Sequence, residues 1–329
     1  MTIYDIASEA GVSISTVSLV LNHPEKVRPV TRKKVERVLE KYHYAPNAMA
    51  RGLVKNSMKT IGILSNDFRH LHFSSTAYIL ESMFFNWGFS TILCNTGYDL
   101  EKKKKYIKTF AEKKVDAVVL IGSVFNHPEI ERMILTYLPE TPVVLANGVL
   151  SVPNAYSVLI DQITGLELAV GHLAEKGHRE ILFVYQRPSY NALEKINGYR
   201  MAMEKRGFEV RDDNIWRAGP GFEMGCDVTD RILKSGKPFT AIICADDLTA
   251  LGVIKELKQR GRRVPQDVAV IGYDNSTFSS CFDPGVTSVD TRNDVFSNIV
   301  ANVVYDLLSK REVGSHIIVK PELAIREST

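Results

Sequence analysis

Nine short apolar runs between residues 60 and 320 limit most tightly what this chain can fold into. They read TIGILS (60–65), FSTILC (89–94), DAVVLIG (116–122), PVVLAN (142–147), SVLID (157–161), EILFVY (180–185), FTAIICA (239–245), VAVIGYD (268–274) and HIIVK (316–320). Segments of helical periodicity lie between them, at 74–87, 101–113, 162–177, 191–206, 247–260 and 294–310. Strands this apolar belong to parallel sheets that helices cover on both faces. The pattern predicts an α/β core of two doubly wound halves, with a ligand cleft at the carboxyl ends of the strands.

Residues 2–22, TIYDIASEAGVSISTVSLVLN, carry the pattern of two short helices joined by a tight turn. The apolar positions of the first helix follow the spacing i, i+3, i+4, i+7, and they are Ile3, Ile6, Ala7 and Ala10. Thr2 is placed to cap this helix, and Gly11 to end it. Ser13 can cap a second helix, whose inward face is Val17, Val20 and Leu21. Two helices joined in this way form a helix-turn-helix.

The second helix then turns Ile14 and Leu19 away from that inward face. In a helix-turn-helix unit the second helix enters the DNA major groove, where apolar side chains can contact thymine methyl groups. Alternatively, Ile14 and Leu19 complete a small core against a third helix. Such a helix is predicted from Pro29 onward, and its apolar face is Val35, Val38, Leu39 and Tyr42.

The basic charge of the chain is concentrated in its first sixth. Residues 1–60 contain ten Lys or Arg and five Asp or Glu, a net charge of +5, whereas the whole chain carries +3. Residues 61–329 therefore carry 3 − 5 = −2. This asymmetry predicts a nucleic acid or another anionic partner for the N-terminal segment alone.

Several function classes are disfavoured by what the sequence contains. No apolar run approaches the roughly 18 residues of a membrane span, and Asp5 and Glu9 stand where a signal peptide would be basic and apolar, so we expect a cytoplasmic protein. The four cysteines lack C-x-x-C spacing and read as reduced, partly buried thiols. GPGFEMG (219–225) reads as a turn before a helix, and Lys102–Lys105 as a solvated helix start. No Ser-His-Asp arrangement stands out, and His172 and His178 have no evident partners, so we expect no catalytic residue and no enzyme. The cysteine spacing predicts no metal site, and we expect no cofactor.

Residues 43–58, HYAPNAMARGLVKNSM, join the two parts. Pro46 can open a short helix in which Arg51 and Lys55 share a face and Leu53 lies on another. A helix this short is marginal in isolation because nucleation is unfavourable. The segment is therefore a candidate for folding only on DNA, although a passive linker is the simpler interpretation.

The opening TIYDIASEAGVSISTVSLVLN, the joint YAPNAMARGL, GHREI (177–181) and VPQDVAVIGYDN (264–275) together resemble the LacI/GalR family of bacterial repressors. The resemblance covers essentially the whole chain. It implies a three-helix helix-turn-helix headpiece (1–45), a hinge helix (46–58) and an effector-binding, dimerising core (59–329) like periplasmic sugar-binding proteins. The core divides into an N-subdomain (about 59–160 and 291–318) and a C-subdomain (about 161–290 and 319–329). A homodimer on a nearly palindromic operator is also implied.

The resemblance assigns DNA-contacting roles residue by residue. Ile14, Ser15 and Leu19 match positions that read bases, although relatives often carry a basic or polar residue at the position of Leu19. Positions that hold phosphates are matched by Thr2, Tyr4, Ser13, Thr16, Asn22 and Tyr44. Leu53 matches the hinge leucine that wedges into the minor groove. Asn47, Ala48 and Arg51 lie on the hinge face nearest the groove.

The resemblance also assigns five effector-contacting residues in the core. Phe73 matches an aromatic that covers the ligand, and Asn191 and Lys195 sit on a helix that lines the cleft. Asp246 stands where sugar-binding relatives often have asparagine, and Asp274 matches a ligand-contacting acid at a strand end. Two carboxylates can accept hydrogen bonds from vicinal hydroxyls, and an aromatic ring can cover a sugar face. The alternative for Asp246 and Lys195 is a solvated pair or an interdomain salt bridge.

The sequence thus predicts a ligand-responsive transcriptional regulator, a repressor that binds double-stranded DNA as a homodimer and takes a sugar or sugar derivative as effector. Two alternatives remain. One is a regulator for which a purine or another metabolite acts as co-repressor. The other is a cytosolic sugar-binding protein or enzyme built on the same core, which the helix-turn-helix and its charge disfavour.

Overall fold

The computed structural model describes residues 2–44 and 57–329. Contacts along the chain divide it into two compact units, residues 1–58 and residues 59–329. Within the described residues, no helix is both long enough and apolar enough to cross a membrane.

The first unit contains helices α1 (Ile3–Ala10), α2 (Ile14–Asn22) and α3 (Pro29–Lys41). Thr2 and Asp5 cap α1 reciprocally, since each side chain bonds to the backbone of the other. Gly11 ends α1 in the left-handed conformation, at φ 63°, which glycine adopts without a Cβ clash. The Ser13 hydroxyl accepts the Thr16 N–H at 3.2 Å and so starts α2. The predicted helix-turn-helix is therefore present, with the predicted caps.

A small apolar core holds these three helices together. It is formed by Ile6, Ala7, Ala10, Val17, Val20 and Val35, with Leu21, Val38 and Leu39 packed against it. Tyr42 does not join the apolar face of α3, contrary to the prediction, because the helix ends at Lys41. The exposed Tyr42 ring instead donates its hydroxyl proton to Glu9 Oε1 at 2.9 Å.

The second unit contains two six-stranded sheets. Its strands are β1 (Thr60–Ser65), β2 (Ser90–Asn95), β3 (Ala117–Ile121), β4 (Val143–Ala146), β5 (Ala155–Ile160), β6 (Ile181–Tyr185), β7 (Ile215–Arg217), β8 (Ala241–Cys244), β9 (Ala269–Tyr273), β10 (Thr287–Asp290), β11 (His316–Val319) and β12 (Glu322–Ala324). Its described helices are α4 (Leu71–Asn86), α5 (Leu100–Glu112), α6 (Pro128–Tyr137), α7 (Gln162–Glu175), α8 (Tyr190–Glu204), α9 (Phe222–Lys234), α10 (Asp247–Gln259), α11 (Thr277–Cys281) and α12 (Asn293–Leu308).

Strand order separates the two halves of this unit. Sheet 1 runs β11-β5-β4-β3-β1-β2 and is parallel throughout. Sheet 2 runs β12-β10-β9-β8-β6-β7, and only its β12 is antiparallel. The first half is sheet 1 with its helices, including α12, and the second half is sheet 2 with its helices. The chain passes between the halves near residues 161, 291 and 320.

Each of the nine apolar runs contains a strand, as predicted, but β7, β10 and β12 were not predicted. β7 and β12 are three-residue edge strands and lack a buried apolar run. β10 is buried yet begins with Thr287 and Ser288, whose hydroxyls are satisfied by Arg326 and Asp247. The apolar pattern misses such a strand because hydrogen bonds, not apolar side chains, satisfy its buried face.

Candidate functional site

A cavity of about 510 Å³ lies between the carboxyl ends of the strands of the two sheets. Its walls include residues that directly follow β1, β3, β4, β6, β8 and β9, which is where open parallel sheets bind ligands. The structure brings all five residues of the predicted effector site to this cavity: Phe73, Asn191, Lys195, Asp246 and Asp274.

Asp246 is a buried carboxylate held in a fixed orientation at the start of α10. Its Oδ1 accepts the Thr249 N–H at 2.7 Å, and its Oδ2 accepts the Thr249 hydroxyl at 3.2 Å. Burial raises the pKa of Asp246, and the charge of His70 and the bonds from Thr249 oppose that rise. A carboxylate oriented in this way can accept a hydrogen bond from a ligand only along a narrow range of directions.

Lys195 is also buried, on α8, and its ammonium group lies in the same cavity wall. Its Nζ donates to the Ala245 carbonyl at 2.8 Å and lies 3.4 Å from the centroid of the Tyr273 ring. Burial lowers the pKa of Lys195, while Asp274 and Asp246 act in the opposite direction. The alternative of a solvated pair or an interdomain salt bridge does not describe these groups, since both are buried in the same half.

Asp274 follows β9 in a left-handed backbone conformation, at φ 93°. Its N–H donates to the Val289 carbonyl, which fixes the backbone at the strand end. Its Oδ1 lies 4.0 Å from Nδ1 of His72, across the cavity in the first half. Burial lowers the pKa of His72, and the nearby Asp274 partly offsets that shift.

Three rings from the start of α4 form the aromatic part of the cavity. The Phe73 ring centroid lies 4.8 Å from that of His70 and 5.8 Å from that of His72. Gly122 lies beneath Phe73, and a Cβ there would come within 3.5 Å of the phenyl ring. The two histidines were not identified from the sequence, although the HLHF run (70–73) places both beside Phe73.

Asn191 joins the two halves at the cavity. Its Nδ2 donates to the Asn147 carbonyl at 3.1 Å, and its backbone N–H donates to the Ser123 hydroxyl at 3.4 Å. Both partners belong to the first half, whereas Asn191 starts α8 of the second. Asn191 therefore contributes to the relative position of the halves.

Several buried polar atoms in the cavity wall have no hydrogen-bond partner among the described residues. They are Oδ1 of Asn66, Nδ1 of His70, Nδ1 of His72, Oε1 of Gln162 and Oγ1 of Thr291. A buried polar atom without a partner is unfavourable by about 1–3 kcal/mol, so this wall is suited to a polar ligand. None of these residues was identified from the sequence, because isolated polar residues after strands are common.

Three expectations about lysine, histidine and cysteine side chains were wrong. Lys103 is not part of a solvated helix start: it is 5% exposed, lines the cavity and donates to the Val124 carbonyl at 2.8 Å. His172 and His178 do have partners, the hydroxyls of Thr329 and Thr240, each at 2.9 Å. Cys281 is a free cysteine as expected but is exposed.

The second surface of interest is the outer face of α2 in the first unit. Ile14 is 41% exposed and Leu19 is 39% exposed, and neither belongs to the apolar core. Ser15 is exposed beside Ile14. The alternative in which Ile14 and Leu19 complete a core against α3 is therefore wrong.

The residues predicted to hold phosphates differ in exposure and in the local hydrogen bonds of their side chains. Tyr4 is exposed, whereas Tyr44 packs against the core. The hydroxyls of Ser13 and Thr16 lie 2.9 Å apart, Thr2 bonds to Asp5, and Asn22 Nδ2 donates to the Ser18 carbonyl. The Thr2, Ser13, Thr16 and Asn22 side chains are thus held in place by local bonds. Asn47, Ala48, Arg51 and Leu53 lie outside the described residues.

Three related proteins match between 88% and 100% of the chain. An HTH-type transcriptional regulator of Lachnoclostridium phytofermentans is 36% identical, over 100% of this chain and 99% of that protein. Catabolite control protein A of Priestia megaterium is 32% identical over the same shares. The HTH-type transcriptional repressor PurR of a Vibrio cholerae strain is 35% identical over 88% of this chain and 85% of that protein.

Solved structures agree in fold. A complex of the transcriptional regulator CelR with cellobiose matches with a TM-score of 0.75 and 26% identity over 100% of both chains. A lac repressor dimer bound to operator and the anti-inducer ONPF matches with a TM-score of 0.89 and 23% identity, over 100% of this chain and 98% of that one.

Two family models cover complementary parts of the chain. Residues 170–329 match the periplasmic binding protein-like domain, and residues 2–47 match the bacterial regulatory proteins of the lacI family. The helix-turn-helix, the paired parallel sheets and the full-length relatives agree with both matches. The chain therefore belongs to the lacI family of bacterial regulatory proteins, DNA-binding regulators of transcription.

Proposed function

We propose that this protein is a cytoplasmic repressor whose affinity for a palindromic operator is set by a hydroxyl-rich effector, a sugar or sugar derivative, in the cavity between the two halves. It acts as a homodimer and performs no catalysis. The observation that carries this proposal is the cavity wall, where the buried carboxylate of Asp246, the partly buried carboxylate of Asp274, a buried ammonium group and several unpartnered polar atoms converge.

The chemistry of the wall favours a sugar. Asp246 and Asp274 supply carboxylate acceptors for hydroxyl protons, and Lys195 supplies a donor. Phe73 offers a ring face to the apolar side of a pyranose. A volume of about 510 Å³ is within the range of roughly 300–1,000 Å³ that small-molecule sites occupy. The solved cellobiose complex of CelR has the same fold and binds a sugar.

The outer face of α2 is the surface we assign to operator recognition. Ile14 and Leu19 are suited to contacts with thymine methyl groups, and Ser15 to hydrogen bonds with base edges. Tyr4, Thr2, Ser13, Thr16, Asn22 and Tyr44 are assigned to phosphates. In the segment outside the described residues, Leu53 is assigned to the minor groove together with Asn47, Ala48 and Arg51.

Regulation follows from a difference in affinity. A ligand that binds one arrangement of the halves more tightly shifts the population toward it, by no more than that difference in binding free energy. Asn191 is positioned to take part, since its bonds to Asn147 and Ser123 exist only while the halves are close. The arrangement of the halves then sets the arrangement of the subunits on DNA.

A purine or related planar metabolite is the second candidate effector. Phe73 and the adjoining His70 ring offer flat surfaces, and the unpartnered nitrogens of His70 and His72 can bond to ring atoms. Such a ligand would act as a co-repressor if it favoured the DNA-binding arrangement.

One experiment tests both parts of the proposal. The full-length protein is screened by thermal shift against sugars and nucleobases, and its DNA binding is followed by gel shift on genomic fragments with and without each hit. We expect a sugar to raise the melting temperature and to change the affinity for a specific fragment. A nucleobase hit without any sugar hit would contradict the sugar assignment, and failure to bind any fragment specifically would contradict operator recognition.

A further inference from the structure

The strand order of sheet 2 places residues of opposite charge at the two ends of the cavity. Across sheet 2 the order is β9-β8-β6-β7. Asp274 directly follows β9, Asp246 and Arg187 are the second residues after β8 and β6, and Arg217 ends β7. Neighbouring strands lie about 4.8 Å apart, so the span from β9 to β7 is roughly 14 Å. The cavity therefore runs from two acids at one end to two arginines at the other, over more than the length of one pyranose ring.

The acidic end is the inner end. Asp246, Lys195 and His72 are all buried there, and Asp274 lies next to His72. This end can accept hydrogen bonds from the hydroxyls of one sugar ring. It disfavours an anionic substituent, because two carboxylates against the single ammonium group of Lys195 leave this end with a net negative charge.

The basic end is the outer end, and its arginines are free of carboxylates. Arg187 and Arg217 are exposed, line the cavity, and form no ion pair with any carboxylate of the described residues. The Arg187 guanidinium lies 4.3 Å from the centroid of the Tyr98 ring, which belongs to the first half. Lys103, on α5 of the first half, adds a buried ammonium group to the cavity wall.

Resting on the proposed function, we propose that the effector is a disaccharide-sized glycoside whose outer unit carries an anionic group, a phosphate or a carboxylate, bound by Arg187 and Arg217. The inner sugar ring occupies the acidic end, and the outer ring lies against Tyr98. Guanidinium groups bind phosphate and carboxylate through paired, charge-assisted hydrogen bonds, and neither arginine has to break an existing ion pair to do so. Charge fixes the orientation of the disaccharide in the cavity, since the reverse orientation would place its anionic group against Asp246 and Asp274.

The test is isothermal titration of the full-length protein with matched ligands. The panel contains cellobiose, gentiobiose, maltose and trehalose, each with its 6′-phosphate, together with cellobiouronic acid, glucose, glucose 6-phosphate and inorganic phosphate. We expect one anionic disaccharide to bind at least about tenfold more tightly than its neutral parent. Whether the phosphate or the carboxylate is preferred identifies the anionic group.

Variants assign the preference to the arginines. Arg187→Gln and Arg217→Gln together should abolish the preference, so that the anionic ligand and its neutral parent bind with equal affinity. Arg262→Gln is the matched control, an exposed arginine of the same half that does not line the cavity. It should leave the preference intact.

Other outcomes overturn the inference in distinguishable ways. Equal affinity for neutral and anionic disaccharides would contradict the proposal that the effector carries an anionic group, but it would not contradict the proposed sugar effector. If Arg187→Gln lowered the affinity for both ligand types equally, Arg187 would act only as a contact between the halves through Tyr98. Binding of glucose 6-phosphate or inorganic phosphate as tightly as any disaccharide would contradict the proposal that the effector has two sugar rings. Binding of nucleobases alone would overturn the inference and the proposed effector class together.

Discussion

Asp247 is a buried acid whose surroundings disfavour its charged form. Its carboxyl is 2% exposed at the start of α10, where Oδ1 accepts the Ser288 hydroxyl and Oδ2 accepts the Ser276 N–H, both at 2.6 Å. Burial raises the pKa of Asp247 to about 7, the Ser288 bond opposes the rise, and the charge of Asp274 adds to it. The folded protein therefore favours the protonated acid over most of the acidic range.

The sign of the stability effect follows from that raised pKa. The stability that the protonated form contributes is fully present below the unfolded-state pKa near 3.8. It is lost as the pH rises to the folded-state pKa of about 7. Asp247→Asn mimics the protonated acid and should remove this dependence, which totals about 4 kcal/mol between pH 3.8 and 7. Urea denaturation of the full-length protein at several pH values between 5 and 8 measures it. An unchanged slope in Asp247→Asn, compared with the exposed control Asp227→Asn, would show that Asp247 titrates normally.

Asp274 carries the second prediction at this scale. Asp274→Asn keeps the size of the side chain but replaces one acceptor oxygen with a donor nitrogen. If Asp274 accepts hydrogen bonds from ligand hydroxyls, the affinity for the effector should fall about tenfold to a hundredfold. DNA affinity without ligand should stay nearly constant. Titration calorimetry measures the effector affinity, and gel shift measures the DNA affinity. An unaltered effector affinity in a folded variant would show that Asp274 does not contact the ligand.

Helix α2 is the element on which operator recognition depends. Ile14 and Leu19 are exposed and outside the core, so truncating either should leave the thermal stability of the full-length protein nearly unchanged. If they contact thymine methyl groups, Ile14→Ala and Leu19→Ala should each weaken specific binding by about 1–2 kcal/mol. Binding to random DNA should change little, because neither side chain is charged.

The control for these variants is Val30→Ala, which truncates an apolar residue of α3 that is still more exposed. Fluorescence anisotropy with operator and random duplexes gives both affinities. Equal losses on the two duplexes, or a loss of the same size in Val30→Ala, would show that the outer face of α2 does not read bases.

How far the sequence predicts each element depends on what stabilises it. Elements with a buried apolar face, such as α1, α2 and the nine apolar strands, were predicted from periodicity because burial of that face is what holds them. β10 was missed because side-chain hydrogen bonds satisfy its Thr287 and Ser288. The same reason explains Lys103 in the candidate site. A lysine run reads as a solvated face, and only the tertiary fold supplies the Val124 carbonyl that lets one of its members be buried.

The five effector residues were placed at one cavity from family resemblance and strand ends, whereas Asn66, His70, His72 and Gln162 were not. The predicted residues were assigned because they match positions of a recognisable family motif. The missed residues are defined by what they lack, a hydrogen-bond partner, and that property exists only after both sheets are assembled. Sequence therefore located the cavity, and the structure supplied most of its polar wall.

At the scale of the whole molecule, charge and function divide along the same boundary. Residues 1–60 carry a net +5 and residues 61–329 a net −2, while the cavity lies wholly within the second unit. The two units should therefore be separable. We expect residues 59–329 alone to remain folded, because both sheets and their cores lie within them, and to bind the effector with the affinity of the full-length protein.

The same fragment should bind neither operator nor random DNA, since its net charge is negative and α2 is missing. For the full-length protein, the logarithm of the operator affinity should fall linearly with the logarithm of salt concentration, with a slope of about −0.9 for each neutralised phosphate. Anisotropy titrations between 50 and 200 mM salt, a range over which roughly 10³-fold losses occur for six phosphate contacts, measure that slope. Specific operator binding by residues 59–329 would contradict the assignment of DNA recognition to the first unit. A salt-independent affinity of the full-length protein would instead show that the basic charge of residues 1–60 does not contact phosphates.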